Sequence, residues 1–266
     1  MAHSEKPRSV AIAMPLFNEA QNIERTLVEL SLLLSQRAYE PLFVIQNDAS
    51  TDSSLQVVQA LSLFSEGKIK VETNPINVGH GPTVWRAYRR ALETGQDLIL
   101  HLDSDGDLDF KSVIDCVDTL CEGHFDAVIG SRIGRTEPTY RRFVTRTLRF
   151  ALLTLFGVAS RDVNSPVRVY RREALTKLLR ACPAESVIIH VLLTIITHKF
   201  GNFRYQTVTT KLQPHPALGS SWRSSRRFLG VPTRFIRLVV QSAVELISFR
   251  LSLRHRVQLL RFGHSP

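Results

Sequence analysis

Four carboxylates alternate along one short stretch of this chain. In residues 97–109 an apolar run, Leu98-Ile99-Leu100-His101-Leu102, stops abruptly in Asp103, Asp105, Asp107 and Asp109. Leu-Ile-Leu-x-Leu is the pattern of a buried strand, and the point where such a strand leaves an open α/β sheet is where these folds bind ligands. Asp103 and Asp105 lie on one side of an extended chain, where two negative charges repel unless a cation sits between them. An all-oxygen pair of this kind suits Mg2+ or Mn2+, which bind through one or two carboxylates and complete their shell with substrate phosphates. A solvated acidic turn is the plainer reading of the same residues.

Three further segments carry ligand-type side chains where a strand should end. Pro15-Leu16-Phe17-Asn18-Glu19 follows an apolar segment at 9–14, and Asn47-Asp48 follows another at 42–46. Carboxylates and amides there can accept from ribose hydroxyls or a base N–H. They also cap helices, with Asn18 and Glu19 opening one and Ser50, Thr51 or Asp52 the next. Asn77-Val78-Gly79-His80-Gly81 sets two glycines ahead of a helix, where bare backbone can approach a phosphate. His80 reads there as a ligand or as a surface or capping residue.

The elements that must position these residues follow from periodicity. Strands are expected at 9–14 (stopped by Pro15), 42–46, 69–72, 98–102, 127–130 and 167–170, with an extended segment at 205–212. Helices are expected at 19–36, 55–64, 82–93, 110–121, 150–156, 172–179 and 186–200. Strands alternating with helices of about ten to fifteen residues imply an α/β fold, a mostly parallel sheet covered on both faces. Such a sheet brings the ends of four strands to one edge.

Charge divides the 266-residue chain unevenly. From Gly219 onward nine arginines (223, 226, 227, 234, 237, 250, 254, 256, 261) oppose Glu245 alone, which accounts for +8 of the formal +10. We therefore expect a near-neutral catalytic domain at 1–218 and a basic amphipathic helical tail at 219–266, apolar at 228–249 and 251–262. An apolar helix flanked by arginines at 223–261 fits an anionic membrane surface, or packing on the core or on a second copy in a homo-oligomer. A second basic stretch, 131–149, holds six arginines against Glu137. Nucleic acid is not the expected partner: acidic strand ends would repel its phosphates, and aromatics do not interleave with the basic residues. A nucleotidyltransferase would carry a glycine-rich basic loop after the first strand, where this chain has Pro15-Leu16-Phe17-Asn18-Glu19. The polar first nine residues, the absence of any run of eighteen apolar residues, and Cys116, Cys121 and Cys182 at spacings that match no zinc pattern lead us to expect a cytoplasmic protein, peripheral to the inner face of the membrane.

Taken in order, Pro15-x-x-Asn18-Glu19, Asp48-x-Ser50-Thr51-Asp52, Asn77-x-Gly79-x-Gly81, Asp103-Ser104-Asp105-Gly106 and Gly130-Ser131-Arg132 resemble the family 2 inverting glycosyltransferases of GT-A fold. The resemblance covers about residues 8–175. Gly130-Ser131-Arg132 with its trailing arginines, and Asp162-Val163-Asn164-Ser165-Pro166-Val167-Arg168, look most like members that place a sugar on a polyprenyl phosphate. The resemblance implies a UDP- or GDP-sugar donor contacted by Pro15, Asn18, Glu19, Asn47, Asp48, Asn77, Gly79, His80, Gly81 and Ser104. It implies a divalent metal, Mg2+ or Mn2+, on Asp103 and Asp105, catalytic roles for Asp105, Asp107 and Arg132, and Arg132 and Arg168 where donor or acceptor phosphates arrive. His215 lies where relatives carry a basic acceptor loop.

Two departures stand out. Asn47-Asp48-Ala49 replaces the usual Asp-Asp-Gly, and Asp107 replaces a common Gln. No Glu-Asp pair stands at 183–186, where members that glycosylate hydroxyls carry a general base. A phosphate acceptor is already an oxyanion and needs none, which favours a lipid phosphate. A hydroxyl acceptor of a soluble saccharide or small molecule, with Glu185 or Asp107 as base, is the alternative.

Overall fold

The computed structural model of the protein describes residues 8–133, 139–160, 162–199, 203–212, 227–228 and 231–262. Seven strands form one sheet: β1 (Arg8–Leu16), β2 (Tyr39–Asn47), β3 (Ile69–Thr73), β4 (Leu98–His101), β5 (Ala127–Arg132), β6 (Arg168–Arg171) and β7 (Tyr205–Thr210). Their order is β3-β2-β1-β4-β6-β5-β7, and β6 alone runs antiparallel to its neighbours. The mostly parallel sheet expected from the alternating pattern is what forms. The exits of β3, β2, β1 and β4 are therefore adjacent along one edge.

β1 shows how side-chain period sets the layers. Val10, Ile12, Met14 and Leu16 pack on one face with α1 (Ile23–Gln36) and α5 (Phe110–Glu122). Ala11 and Ala13 point to the other, toward α4 (His80–Glu93), α7 (Arg172–Ala181) and α8 (Ile189–Lys199). Successive strand residues alternate faces, and small residues on one face let helices approach closely.

Several bounds differ from expectation for local reasons. β1 continues through Pro15 because pairing with β4 ends at Ala13↔His101 while pairing with β2 runs on to Leu16↔Asn47. Proline's missing N–H then falls where no ladder bond is made. The first helix starts at Ile23 because Asn18 takes a left-handed φ of +56° and the 17–22 segment turns. The helix expected at 55–64 divides into α2 (Ser54–Ala60) and α3 (Ser62–Ser65) at an extended Leu61.

Beyond the sheet lie α6 (Thr139–Phe156), a ribbon of β8 (Arg227–Phe228) and β9 (Val231–Pro232), and α9 (Thr233–Phe262). The two apolar tail pieces form this one thirty-residue helix. Leu246, Phe249 and Leu253 of α9 are buried with Leu152 and Phe156 of α6 and with α7 and α8. Glu245 accepts hydrogen bonds from Ser186 Oγ (2.7 Å) and from the amide N–H groups of Val187 (3.1 Å) and Ile188 (3.4 Å). It thereby satisfies donors ahead of α8.

Gly81 shows how tightly the first turn of α4 is seated. A Cβ there would collide with Ser186 O and lie 2.6 Å from Val187 Cα, both backbone atoms. Gly81→Ala should therefore cost about 1–3 kcal/mol of stability through overpacking. Urea unfolding checks it, and a midpoint equal to that of the parent protein would contradict the close approach.

Candidate functional site

The acidic stretch leaves β4 as a turn. Gly106 holds φ +68°, and Asp105 Oδ1 accepts from the Asp107 amide at 3.2 Å. Asp109 caps α5, accepting from the Lys111 amide at 3.4 Å, so one of the four carboxylates is structural. Ser104 is buried and Asp107 exposed.

The remaining carboxylates feel one another. Burial first, then the charges of Asp103 and Asp107, push the Asp105 carboxyl up to about 7. Burial raises Glu19 too, with Asp107, Asp52 and Asp103 adding to it against a lowering hydrogen bond from Asn22. Burial would also raise Asp103, but His80, His101 and Arg132 hold it down to about 2. Asp103, Asp105, Asp107 and Glu19 thus form one electrostatic group drawn from the exits of β1 and β4.

Asp103 Oδ1 is buried and has no hydrogen-bond partner among the described residues, and neither has His101 Nε2, 3.4 Å away. His80 Nε2 lies 3.7 Å from the same oxygen. An orphaned carboxylate oxygen beside a second carboxylate that resists ionising is the environment a divalent cation would relieve. Asp103 and Asp105 thus fit Mg2+ or Mn2+. Among the described residues no group of three or more His, Cys, Asp or Glu side chains is arranged to hold a metal ion by itself. Oxygens of a diphosphate would have to complete the shell, as Mg2+ sites commonly arrange.

Several expected contact residues are spent on bracing loops. Asp48 is buried and accepts from Asn74 Nδ2 (2.8 Å), the Val78 amide (2.8 Å) and the Gly79 amide (2.9 Å). Asn47 accepts from the Ser50 amide (3.1 Å) and hydroxyl (2.6 Å) and donates to Thr73 Oγ1 (3.2 Å). Asn77 donates to the Asp48 carbonyl at 3.2 Å. Asn18 accepts from the Thr51 amide at 2.8 Å, and the Glu19 amide donates to Ser54 Oγ at 2.8 Å, lacing the β1 exit to the β2 exit. Pro15 is buried within β1. Gly79 holds φ +94°, with Gly81 and the N-terminus of α4 just beyond.

The two arginines differ. Arg132, at the end of β5, is gripped by Asp162 through Nε (2.7 Å) and Nη2 (2.9 Å), and its charge reaches Asp103. Arg168 departs from the expectation that it meets a phosphate. It is wholly buried, donating to the carbonyls of Val163 (2.8 Å) and Ser165 (3.3 Å), to Thr194 Oγ1 (2.9 Å) and to Tyr170 Oη (3.4 Å). It ties down the 162–166 loop that presents Asp162. Glu185 accepts from Arg86 Nε (2.9 Å) and Nη2 (2.6 Å), a partner the sequence reading did not foresee. His101 was overlooked as well, although its position two residues before Asp103 on a strand was the available signal. His215 lies outside the described residues.

Asp105 sets a pH dependence whose sign can be worked out. Its folded carboxyl titrates near 7 against an ordinary 3.8, so the metal-free fold binds the extra proton and loses stability as pH rises from about 4 to 7. A cation held at Asp103 and Asp105 would need the Asp105 carboxylate, so Mn2+ affinity at this site should fall as pH drops below about 7. Asp105→Asn should stabilise the metal-free protein at pH 8 by about 1–2 kcal/mol while abolishing the Mn2+-dependent rise in Tm. Thermal unfolding at pH 6 and 8, with and without Mn2+ and UDP, measures both; a destabilised Asp105→Asn protein would contradict the carboxylate crowding.

Comparison with known proteins agrees with this geometry. The sequence matches the family described as Glycosyl transferase family 2 over residues 11–179. The undecaprenyl-phosphate 4-deoxy-4-formamido-L-arabinose transferase of Yersinia enterocolitica is 26% identical over 255 residues, 93% of this chain and 72% of that protein. The Pseudomonas fluorescens protein of the same name is 25% identical over 183 residues, 69% of this chain and 52% of its own length, so this chain spans about half of that relative. Among solved structures, glucosyl-3-phosphoglycerate synthase from Mycobacterium tuberculosis, in complex with Mn2+, UDP-glucose and phosphoglyceric acid, superposes with a TM-score of 0.63 at 22% identity, covering 91% of this chain and 80% of that one. The same enzyme with Mg2+ and UDP gives 0.63 at 21%, covering 91% and 79%. That likeness establishes the GT-A fold. With the matched span running from β1 into α7, and so enclosing every strand exit described above, the chain belongs to glycosyl transferase family 2.

Proposed function

We propose that this protein moves a sugar from a nucleoside-diphosphate donor onto a phosphate-bearing polyprenyl lipid, with inversion at the anomeric carbon. The observation that carries the reading is the crowding of Asp103, Asp105, Asp107 and Glu19 at one sheet edge, with Asp103 Oδ1 unpartnered among the described residues and Arg132 close by. The family, relatives named as undecaprenyl-phosphate sugar transferases and structural neighbours holding UDP-glucose support it.

Bound at Asp103 and Asp105, Mg2+ or Mn2+ supplies neutralisation of charge on the departing diphosphate. The chain's residues do the rest. The N-terminus of α4 and the bare backbone at Gly79 and Gly81 approach phosphate oxygens. Glu19, at the β1 exit, stands where ribose hydroxyls can donate to it. Arg132, its fork fixed by Asp162, orients the acceptor phosphate. An oxygen of that phosphate attacks the anomeric carbon as the bond to the diphosphate breaks on the opposite side.

The acceptor class rests on what the chain spends elsewhere. Glu185, the base that a hydroxyl acceptor would call for, is engaged by two donors of Arg86, Nε and Nη2. A phosphate oxygen needs no such base. Asp107, exposed beside Asp105, keeps the hydroxyl-acceptor reading testable.

A lipid acceptor also requires a membrane surface. No helix among the described residues is long and apolar enough to cross a bilayer. α9 buries one face and turns Ile236, Val240, Val244, Ile247 and Leu251 outward at helical spacing, with Arg237 and Arg250 beside them. α6 exposes Phe143, Phe150 and Leu153 among Arg142, Arg146 and Arg149. An apolar stripe edged by arginines suits the anionic interface of a bilayer.

Release of nucleoside diphosphate from a panel of UDP- and GDP-sugars should require one donor, Mn2+ or Mg2+, and a short polyprenyl phosphate. Release that responds instead to a soluble saccharide or alcohol would move the acceptor to a hydroxyl, and no release under any condition would overturn the reading. Arg132→Lys should raise the KM for the lipid phosphate about tenfold with UDP affinity nearly unchanged. Val244→Asp with Ile247→Asp should cut sedimentation with phosphatidylglycerol vesicles at least tenfold without lowering Tm; undiminished sedimentation would remove α9 from the membrane contact, and a dimer dissociated by the same pair would assign the stripe to a second copy.

A further inference from the structure

Two imidazoles approach the same carboxylate oxygen, and they are not equivalent. His101, on β4, is wholly buried and presents Nε2 to Asp103 Oδ1 at 3.4 Å. Its Nδ1 lies 3.0 Å from the Ala13 carbonyl oxygen, which can only accept, so Nδ1 carries the hydrogen. Oδ1 has no hydrogen-bond partner among the described residues.

His80 approaches from outside. It opens α4 between Gly79 at φ +94° and the tightly seated Gly81, with its side chain about half exposed and Nε2 3.7 Å from Oδ1. Its ring meets His190 edge-on at 6.1 Å, so its placement is backed by the core. It therefore stands on the side of Asp103 that solvent and substrate reach. Two adjacent ligands of one first-row ion, each bonded at about 2.1 Å, are roughly 3–3.5 Å apart, so a small rotation of the half-exposed ring suffices. Imidazole nitrogen suits Mn2+ better than Mg2+, which prefers oxygen.

We propose that His80 is a nitrogen ligand of the divalent cation held by Asp103 and the donor diphosphate, and that it biases this site toward Mn2+ over Mg2+. The proposal rests on the glycosyltransferase reading, since the diphosphate must fill the rest of the shell.

Charge and ligation can be separated by experiment on the full chain. Mn2+ binding in the presence of UDP is titrated by electron paramagnetic resonance for the parent protein, His80→Ala and His80→Lys, and Mg2+ by competition. Both variants should bind Mn2+ at least tenfold more weakly and Mg2+ within about twofold of the parent. Lysine keeps a positive charge but is no ligand when protonated. Pulsed spectra of the parent complex should show hyperfine coupling to a directly bound nitrogen-14 that is absent in both variants. Parent-like Mn2+ affinity in His80→Lys would make His80 a charge contact to the diphosphate and overturn the proposal. So would equal loss for both cations, or nitrogen coupling that persists without His80. Bound Mn2+ without nitrogen coupling in the parent overturns the His80 assignment alone, whereas no UDP-dependent binding of either cation overturns the glycosyltransferase reading with it.

Discussion

Negative charge crowded at the exit of β4 is the constraint around which the rest of the structure is arranged. Asp103, Asp105 and Asp107 sit within five residues on a turn, and Glu19 faces them from β1. The repulsion is resolved unequally. Asp103 keeps its charge because His80, His101 and Arg132 surround it, while Asp105, without such neighbours, holds a proton near neutral pH. One ionised and one reluctant carboxylate make a site that gains from a cation and is costly without one.

Around that centre, polar residues serve mostly to fix backbone. Asp48 collects three donors from the 74–79 loop, so the approach to α4 hangs on the exit of β2. Asn18 and Asp52 tie the β1 exit to the turn at 50–54. Arg168 pulls in the 162–166 loop, and Asp162 from that loop orients Arg132. A buried charge is tolerated where its hydrogens find acceptors, and four of the five N–H groups of Arg168 find them in the loop and the core. The arginine expected to meet a phosphate therefore holds the loop that carries Asp162.

This division explains what could be read from the chain itself. Period-two alternation in β1 and helical spacing in α1, α4 and α5 are local signals, so the sheet and the edge where its strand exits gather followed from them. The crowding of carboxylates beyond β4 was legible because the aspartates alternate directly after an apolar run. Whether a given carboxylate or guanidinium faces a ligand or a loop was not legible, since Asp48, Asn47 and Arg168 have the same chemistry in either place. Only burial distinguishes them. Pro15 misled in the same way: a proline ends a strand unless its missing N–H faces beyond the last paired neighbour, and that depends on where β4 stops. His101 lay in plain view on a strand, but its nearness to Asp103 Oδ1 depends on how Asp103 leaves the sheet.

The C-terminal helix is part of the same construction. A basic, apolar segment after residue 219 reads as an appendage, yet Glu245 of α9 holds the amides of Val187 and Ile188 and the hydroxyl of Ser186. Those residues press against Gly81, where no side chain could be accommodated, and Gly81 follows His80 in the first turn of α4. The position of the turn beside Asp103 is therefore set partly by α9. Because interiors are close-packed, Leu246, Phe249 and Leu253 leave this helix little freedom to move without disturbing that contact. The face of α9 turned away from the core and the edge of the sheet that would receive the donor are thus held in one rigid frame.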